Sequence, residues 1–195
     1  LYEEHVKEIR KFLVTLGVIH SYKNIQGEIV DTVVIPWLIY SQIIALLKAL
    51  EEDEISSNIF IDYDSLRDLI ISDATGRLLE NIVVYNTAHH FKGDTNYRVT
   101  KYENGGTEVD MVVLDRSSSN QLARLYEIKL SSKVYPNGQC RQICSNEISD
   151  FFSKERGGKS FDIERYVLYT GKGTDVTYNG MLIHYVNIED YLLGL

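Results

Sequence analysis

Proline and cysteine are scarce in this chain, since each occurs only twice among its 195 residues. With little proline, 44% hydrophobic residues and no low-complexity tract, the chain is expected to bury a core rather than to stay disordered. The two cysteines, Cys140 and Cys144, lie four residues apart in a predicted helix, which is a poor arrangement for a disulfide. We therefore interpret them as reduced core thiols of a cytoplasmic protein.

A long uninterrupted apolar run is also absent. The longest apolar stretch, from Val33 to Leu50, is interrupted by proline, serine, glutamine and lysine. This pattern favours a strand followed by a core helix and predicts no membrane partner. The first residue is Leu rather than Met, as expected for a fragment of a longer protein, and no signal-peptide pattern follows it.

Positive charge is in deficit, since 20 Lys and Arg stand against 28 Asp and Glu, for a net charge of −8. This balance argues against a protein that coats nucleic acid through bulk electrostatics, because phosphate binding needs clustered Lys and Arg. A local basic groove stays open as an interpretation, and so does an ordinary solvated surface. The residues of the moderately basic stretch are Lys129, Lys133, Arg141, Lys154, Arg156 and Lys159.

The first 60 residues predict a small unit in which helices flank a hairpin. The predicted elements are a helix over 1–16 capped by Gly17, strands at 18–22 and 29–35 around a turn with Gly27, and a helix over 37–50. This order predicts a winged-helix-like unit over residues 1–60. A polar segment then leads into the second domain.

Residues 61–195 predict a second domain of the α/β class, with mixed α and β elements. The predicted elements are a helix over 64–90 broken near Gly76, strands near 96–102, 108–114 and 123–130, a helix over 138–154, a strand over 165–169, a hairpin at Asn179-Gly180 and a helix over 188–193. The Asn-Gly dipeptide favours a type I′ turn. The core order is therefore helix, three strands, helix and strand.

Charged residues stand inside two of the predicted strands. Because strand side chains alternate between faces, Glu127 and Lys129 point to the same face of the strand that contains them. Asp110 repeats the feature on the preceding strand. Charged residues are rarely buried without a partner or a function, so these three indicate an ion pair, a metal site or catalysis. Together they suggest a metal-dependent phosphodiesterase.

Four short motifs follow one another along the chain: Gly76-Arg-Leu-Leu-Glu80-Asn81, Tyr97-Arg98, Glu108-Val-Asp110 and Tyr126-Glu127-Ile-Lys129. In this order they resemble the PD-(D/E)xK nuclease superfamily. Within it, the chain is most similar to the nuclease-like domain at the C-terminus of many prokaryotic AAA+ ATPases. The earlier run Val34-Ile-Pro-Trp-Leu-Ile-Tyr-Ser-Gln42 resembles the winged-helix-like segment before that domain.

The resemblance implies a fold, a metal and partners. The expected fold is a restriction-endonuclease-like α-β-β-β-α-β core over residues 61–195, preceded by the winged-helix-like unit. Asp110 and Glu127 would bind Mg²⁺ or Mn²⁺ with help from the Ile128 carbonyl, and Glu80 would be a further ligand or would orient a metal-bound water. DNA and an ATPase domain in the full-length chain are the implied partners.

The resemblance also implies roles in catalysis by a Mg²⁺-dependent DNA endonuclease or exonuclease. Lys129 would orient the attacking water or stabilise the transition state, beside the metal that Asp110 and Glu127 hold. Some members of the superfamily carry a Gln on the helix after this strand. Gln142 or Gln139 would fill that position here.

A second interpretation needs no catalysis. Lys129 would then only neutralise Asp110 and Glu127, and the chain would be an inactive nuclease-like module for binding or regulation, since a fold can persist without its chemistry. Two other motifs are expected to be structural. His89-His90 reads as a helix terminus, and Gly171-Lys-Gly-Thr174 as a turn.

Overall fold

The computed structural model describes residues 2–16, 18–25, 27–33, 45, 63–104, 106–117, 121–154 and 160–195. The chain divides into two compact units, Leu1–Ser21 with Val30–Asn81 and Tyr22–Ile29 with Ile82–Leu195. The predicted cap Gly17, the run 34–42 and the predicted domain boundary at residue 60 lie outside the described residues, and so does the predicted helix over 37–50 except for residue 45, which is helical. The winged-helix-like unit therefore stays a prediction.

Helix α1, Tyr2–Thr15, and a two-stranded sheet of β1, Ile19–Lys23, and β2, Ile29–Val33, confirm the elements predicted at the start of the chain. Arg10 ties α1 to β2, since its Nε lies 2.6 Å from Asp31 Oδ2. The turn between the strands closes where the Asn24 amide donates to the Glu28 carbonyl at 2.8 Å. Gly27 has φ +92°, a conformation that favours glycine, as its place in a turn predicts.

Helix α2, Tyr63–His90, is 28 residues long and continues through Gly76. The predicted break at Gly76 is therefore wrong. Glycine lowers helix propensity by about 1 kcal/mol but does not remove a backbone donor as proline does, so a long helix can include it. His89 and His90 end the helix and are exposed, which confirms their interpretation as a helix terminus.

The second unit is built on a six-stranded mixed sheet with the order β3-β4-β5-β6-β8-β7. Its strands are β3 Tyr97–Asn104, β4 Thr107–Asp115, β5 Gln121–Ile128, β6 Phe161–Tyr169, β7 Thr174–Tyr178 and β8 Met181–Asn187. The β3-β4, β4-β5 and β7-β8 pairs are antiparallel, whereas β5-β6 and β6-β8 are parallel. The mixed α and β class is confirmed; the restriction-endonuclease-like topology stays a prediction.

The predicted helix over 138–154 is wrong as a single element. The structure has α3, Pro136–Gln139, then a turn over 141–144, then α4, Asn146–Ser153. Ser145 explains the division, because its side chain accepts a hydrogen bond from the Ile148 amide and so caps a new helix. Strand β5 ends at Ile128, two residues before the predicted end.

The end of the chain follows the prediction closely. Asn179 and Gly180 both have positive φ, of 50° and 77°, which confirms the type I′ hairpin between β7 and β8. Helix α5, Ile188–Leu193, has the predicted bounds and starts at the cap residue Asn187. Residues 170–173 form the predicted turn before β7.

The main core joins one face of the sheet to α4 and to the turn before it. Val112, Leu125 and Val167 face Ile148 and Phe152 within one buried cluster. Cys140 and Cys144 are buried in the same cluster as free thiols, and burial raises the pKa of Cys144 to about 11, so the prediction of core thiols is confirmed. Of the helices that the structure describes, none is long and apolar enough to cross a membrane.

Candidate functional site

Two buried carboxylates lie on neighbouring strands of the sheet. Asp110 in β4 is 7% exposed, and Glu127, the second-last residue of β5, is 6% exposed. The antiparallel pairing of these strands, in which Met111 pairs with Tyr126, brings the two residues beside each other. The structure thus brings together the two acids that the sequence predicts as a pair.

A β-bulge sets the position of Asp110. Thr100 pairs with Val112 and Tyr102 with Val109, so Asp110 and Met111 of β4 lie opposite Lys101 alone. Such a bulge interrupts the alternation of side chains and redirects one of them. No pattern in the sequence marks this extra residue.

The side chain of Asp110 continues the hydrogen bonding of the sheet after the bulge. The regular β4-β5 register has its last pair at Met111 and Tyr126. Beyond it, the amide of Ile128 donates to Asp110 Oδ2 at 2.7 Å. The carboxylate is therefore held by the backbone of the neighbouring strand, at the residue whose carbonyl is a predicted metal ligand.

Lys129 lies between the two acids. Its Nζ is 2.7 Å from Glu127 Oε1 and 3.9 Å from Asp110 Oδ2, which confirms that Glu127 and Lys129 point the same way. The backbone of Lys129 continues the parallel pairing, since its amide donates to the Leu168 carbonyl at 2.9 Å. The Lys129 side chain is 36% exposed, whereas the carboxylates that it pairs with are buried.

Burial dominates the titration of Asp110 and raises the pKa of its carboxyl. The hydrogen bond from Ile128 and the charges of Lys129 and Lys101 oppose this effect, whereas the charge of Glu108 adds to it. A buried anion with a raised pKa is stabilised by added positive charge. The site is therefore electrostatically suited to a cation.

The donor set also suits a hard cation. Two carboxylates and the Ile128 carbonyl are oxygen donors, and Mg²⁺ commonly binds through one or two carboxylates while keeping several waters. Among the described residues, no group of three or more His, Cys, Asp or Glu side chains is arranged to hold a metal ion. The fit therefore rests on the Asp110 and Glu127 pair. Glu80 lies in α2, and its assignment as a ligand stays a prediction.

The two candidate glutamines differ in their surroundings. Gln139 is buried; its Oε1 accepts from the Tyr135 amide at 2.7 Å and from the Tyr185 hydroxyl at 3.0 Å, and its Nε2 donates to the Lys133 carbonyl. These bonds give Gln139 a structural role. Gln142 is half-buried in the turn over 141–144, so its predicted place on a helix is wrong, and its catalytic role stays a prediction.

Several residues near the site have no sequence motif. Lys101 is one, because only the strand register brings it near Asp110. Cys140 is another, since its Sγ lies 3.2 Å from the Tyr185 hydroxyl and the charge of Glu127 contributes to its raised pKa, after burial, which is the main cause. The position of Lys101 follows from the pairing of β3 with β4, and that of Cys140 from its contact with Tyr185 in β8, and the sequence shows neither contact.

The predicted basic stretch is partly described. Lys133, Arg141 and Lys154 are exposed, whereas Arg156 and Lys159 lie outside the described residues. Chemically, the site combines two buried carboxylates, one ammonium group and a β-bulge that sets the direction of one carboxylate. This arrangement can bind a divalent cation or form a closed ion-pair network. The chain matches no protein-family model and no curated protein.

Proposed function

We propose that this chain carries a nuclease-like module that hydrolyses phosphodiester bonds of DNA with Mg²⁺ or Mn²⁺. The observation that carries the proposal is the buried pair Asp110 and Glu127 beside Lys129. The motif resemblance to the PD-(D/E)xK nuclease superfamily supports it. In the full-length protein, we propose that the module accompanies an AAA+ ATPase domain.

The residues that would hold the cation are Asp110, Glu127 and the carbonyl of Ile128, with Glu80 as a further candidate. The cation would supply a water of lowered pKa and a positive charge opposite the scissile phosphate. The hydrogen bond from the Ile128 amide to Asp110 fixes one ligand in advance. Preorganised ligands of this kind bind without the cost of reordering a flexible side chain.

Lys129 would contact the phosphate. Its ammonium group lies at the carboxylate pair and its side chain is partly exposed, so Lys129 could donate to a phosphate oxygen while it stays at the site. A positive group there stabilises the negative charge that grows as the phosphodiester bond breaks. Gln142 stays a candidate for orienting the attacking water.

The test compares DNA cleavage by the 195-residue chain with cleavage by its Glu127→Gln variant. Linear, circular and single-stranded DNA are each incubated with Mg²⁺, Mn²⁺ or EDTA. We expect cleavage that requires the metal and falls at least about 100-fold in the variant, a loss typical of a group that organises transition-state charge.

A Glu164→Gln variant is the matched control. Glu164 also belongs to an ion pair on the sheet, since its Oε2 lies 3.3 Å from Arg124 Nε, but it pairs at the N-terminal half of β5 rather than at the site. The Glu164→Gln variant should cleave DNA as fast as the wild type does. Equal loss in both variants would instead show that any ion-pair defect in the sheet abolishes activity.

A non-catalytic module for binding or regulation is the second candidate function. The 2.7 Å pairing of Lys129 with Glu127 favours it, because an ammonium group already balances that carboxylate. If wild type and Glu127→Gln are equally inert with every metal and DNA form, the nuclease proposal fails and this function replaces it.

A further inference from the structure

The segments that follow the parallel strands β5 and β6 run side by side beyond the sheet. The Lys129 amide donates to the Leu168 carbonyl at 2.9 Å, and the Thr170 amide donates to the Ser131 carbonyl at 3.0 Å. Gly171 then approaches so closely that a Cβ on it would lie 2.5 Å from the Ser132 carbonyl oxygen. Residues 129–132 therefore lie beside residues 170–171, and we call the two segments that contain them, residues 129–138 and 170–173, the loop surface.

The loop surface is positively charged in an acidic chain. It contains Lys129, Lys133 and Lys172 and no Asp or Glu, whereas the whole chain has a net charge of −8. Lys133 and Lys172 are exposed, and each is adjacent in sequence to one member of the Ser132–Gly171 contact. Positive charge thus concentrates directly after Glu127, where a polyanion would approach.

Tyr135 adds an exposed aromatic ring to this surface. The Tyr135 side chain is 61% exposed, but contacts with Gly138 and Gln139 restrict its position. A Cβ on Gly138 would lie 2.6 Å from the ring, and the Tyr135 amide donates to the buried Gln139 at 2.7 Å. Leu130 and Val134 are exposed nearby in the sequence. An exposed ring of restricted position, two residues after the exposed Lys133, suits a ligand that carries both flat apolar faces and negative charge.

We propose that the loop surface binds single-stranded nucleic acid, with Tyr135 stacking on a base and Lys133 and Lys172 contacting phosphates. An aromatic platform within a positive groove is the usual basis for binding single strands without sequence preference. A duplex keeps its base faces stacked inside and offers this ring nothing equivalent. The inference rests on the proposed function, because it defines the strand that would reach Asp110 and Glu127.

The test measures binding of the 195-residue chain to fluorescein-labelled oligothymidylate by anisotropy in EDTA, so that hydrolysis cannot contribute. We expect Tyr135→Ala to weaken binding about tenfold or more, within the range for the loss of one base-aromatic stack, and Tyr135→Phe to retain affinity. The double variant Lys133→Gln with Lys172→Gln should flatten the dependence of log K on log salt by about 1.4, at about 0.7 for each single-strand phosphate contact.

Two substitutions away from the loop surface are the matched controls. Tyr85 is 54% exposed on α2, and Lys92 is exposed in the turn after α2. Lys92 precedes β3, whose first residue pairs with Asp115, at the end of β4 away from Asp110. Tyr85→Ala and Lys92→Gln should leave binding unchanged.

A labelled abasic oligomer provides a test from the ligand side. The abasic oligomer should bind the wild type about as weakly as oligothymidylate binds Tyr135→Ala. Because it has no base to stack, the abasic oligomer should bind Tyr135→Ala and the wild type with equal affinity. Circular dichroism confirms that each variant is folded, and the lysine pair tests the surface independently of Tyr135.

The inference is overturned if the wild type does not bind the single strand, if it prefers duplex DNA, or if Tyr135→Ala binds as tightly as the wild type. Binding that depends on Tyr135 without any cleavage in Mg²⁺ would support this inference and reject the proposed hydrolysis. Cleavage that survives Tyr135→Ala undiminished would support the hydrolysis and reject this inference.

Discussion

Asp110 links the stability of the chain to pH. Burial raises the pKa of its carboxyl above the ordinary value of 3.8. As pH rises past that value, the unfolded chain releases this proton before the folded chain does, so unfolding becomes relatively easier. Once pH exceeds the pKa in the folded state, the penalty is constant.

The variant Asp110→Asn should remove this penalty. Its free energy of unfolding, relative to the wild type, should rise as pH increases from 3.8 through the pKa of folded Asp110, and should then level off. Urea denaturation across this range measures the difference. Parallel pH profiles for the two proteins would contradict the prediction.

Asp115 provides a comparison, because its pKa is lowered whereas that of Asp110 is raised. Burial opposes ionisation there too, but hydrogen bonds from Ser117 and the charge of Arg124 outweigh it and lower the pKa. Asp115 therefore stabilises the fold above 3.8 and loses this contribution as pH falls. Asp115→Asn should cost stability at neutral pH and little in acid.

Gln139 should matter for stability far more than Gln142. A Gln139→Met variant keeps the side-chain volume but leaves the Tyr135 amide, the Lys133 carbonyl and the Tyr185 hydroxyl without this partner. The Tyr185 hydroxyl is buried, and the loss of a partner by a buried polar group costs about 1–3 kcal/mol, so we expect a loss of about 2 kcal/mol in the free energy of unfolding.

Gln142→Met is the control, and it should stay within about 0.5 kcal/mol of the wild type, as is usual for substitutions away from buried networks. Urea denaturation of both variants gives the comparison. A similar loss in the two would reject a specific structural role for Gln139.

Among the elements, α2 offers a direct test of a glycine in a helix. No atom of the residues that the structure describes lies within 4 Å of a Cβ placed on Gly76, so Gly76→Ala should raise the free energy of unfolding by about 1 kcal/mol. Gly171→Ala should instead destabilise the fold, because its Cβ would clash with the Tyr169 ring. Thermal unfolding of both variants tests these two expectations. A loss of stability in Gly76→Ala would contradict the first, because the added methyl group would then meet a neighbouring atom.

The elements also show which features the sequence can predict. The hairpin at Asn179-Gly180 and helix α5 were predictable because local dipeptide and capping preferences determine them. The predicted helix over 138–154 is divided because Ser145 caps a second helix. The helical spacing of apolar residues continues across Ser145 and favours a single helix instead. Local propensity alone does not decide such a competition.

The candidate site was predictable only in part, for a related reason. Strand alternation was enough to join Glu127 to Lys129. The bulge that sets Asp110 opposite Lys101 arises from pairing between strands, and a single strand's sequence does not contain it. The structural use of Gln139 likewise depends on Tyr185, which follows 46 residues later.

For the whole molecule, cation binding should appear as added stability. A ligand that binds only the folded state stabilises it by RT ln(1 + [L]/Kd), about 2.7 kcal/mol at a hundredfold excess over Kd. Mg²⁺ should therefore raise the melting temperature of the wild type and leave that of Glu127→Gln unchanged. NaCl at equal ionic strength controls for screening of surface charge. An equal response of both proteins to Mg²⁺ would place the cation elsewhere.

The mixed sheet has a consequence for the order of folding. Strands β3, β4 and β5 pair with their neighbours in sequence, whereas β5 and β6 pair in parallel across about 40 residues, as between Arg124 and Glu164. Closing the longer loop costs more entropy, so the antiparallel meander is expected to form first. Asp110 and Glu127 would then meet early, before β6 arrives beside β5. Two negative charges would be held together by the nascent meander while only Lys101, Lys129 and solvent ions balance them, so we expect refolding to be faster in moderate salt than in its absence.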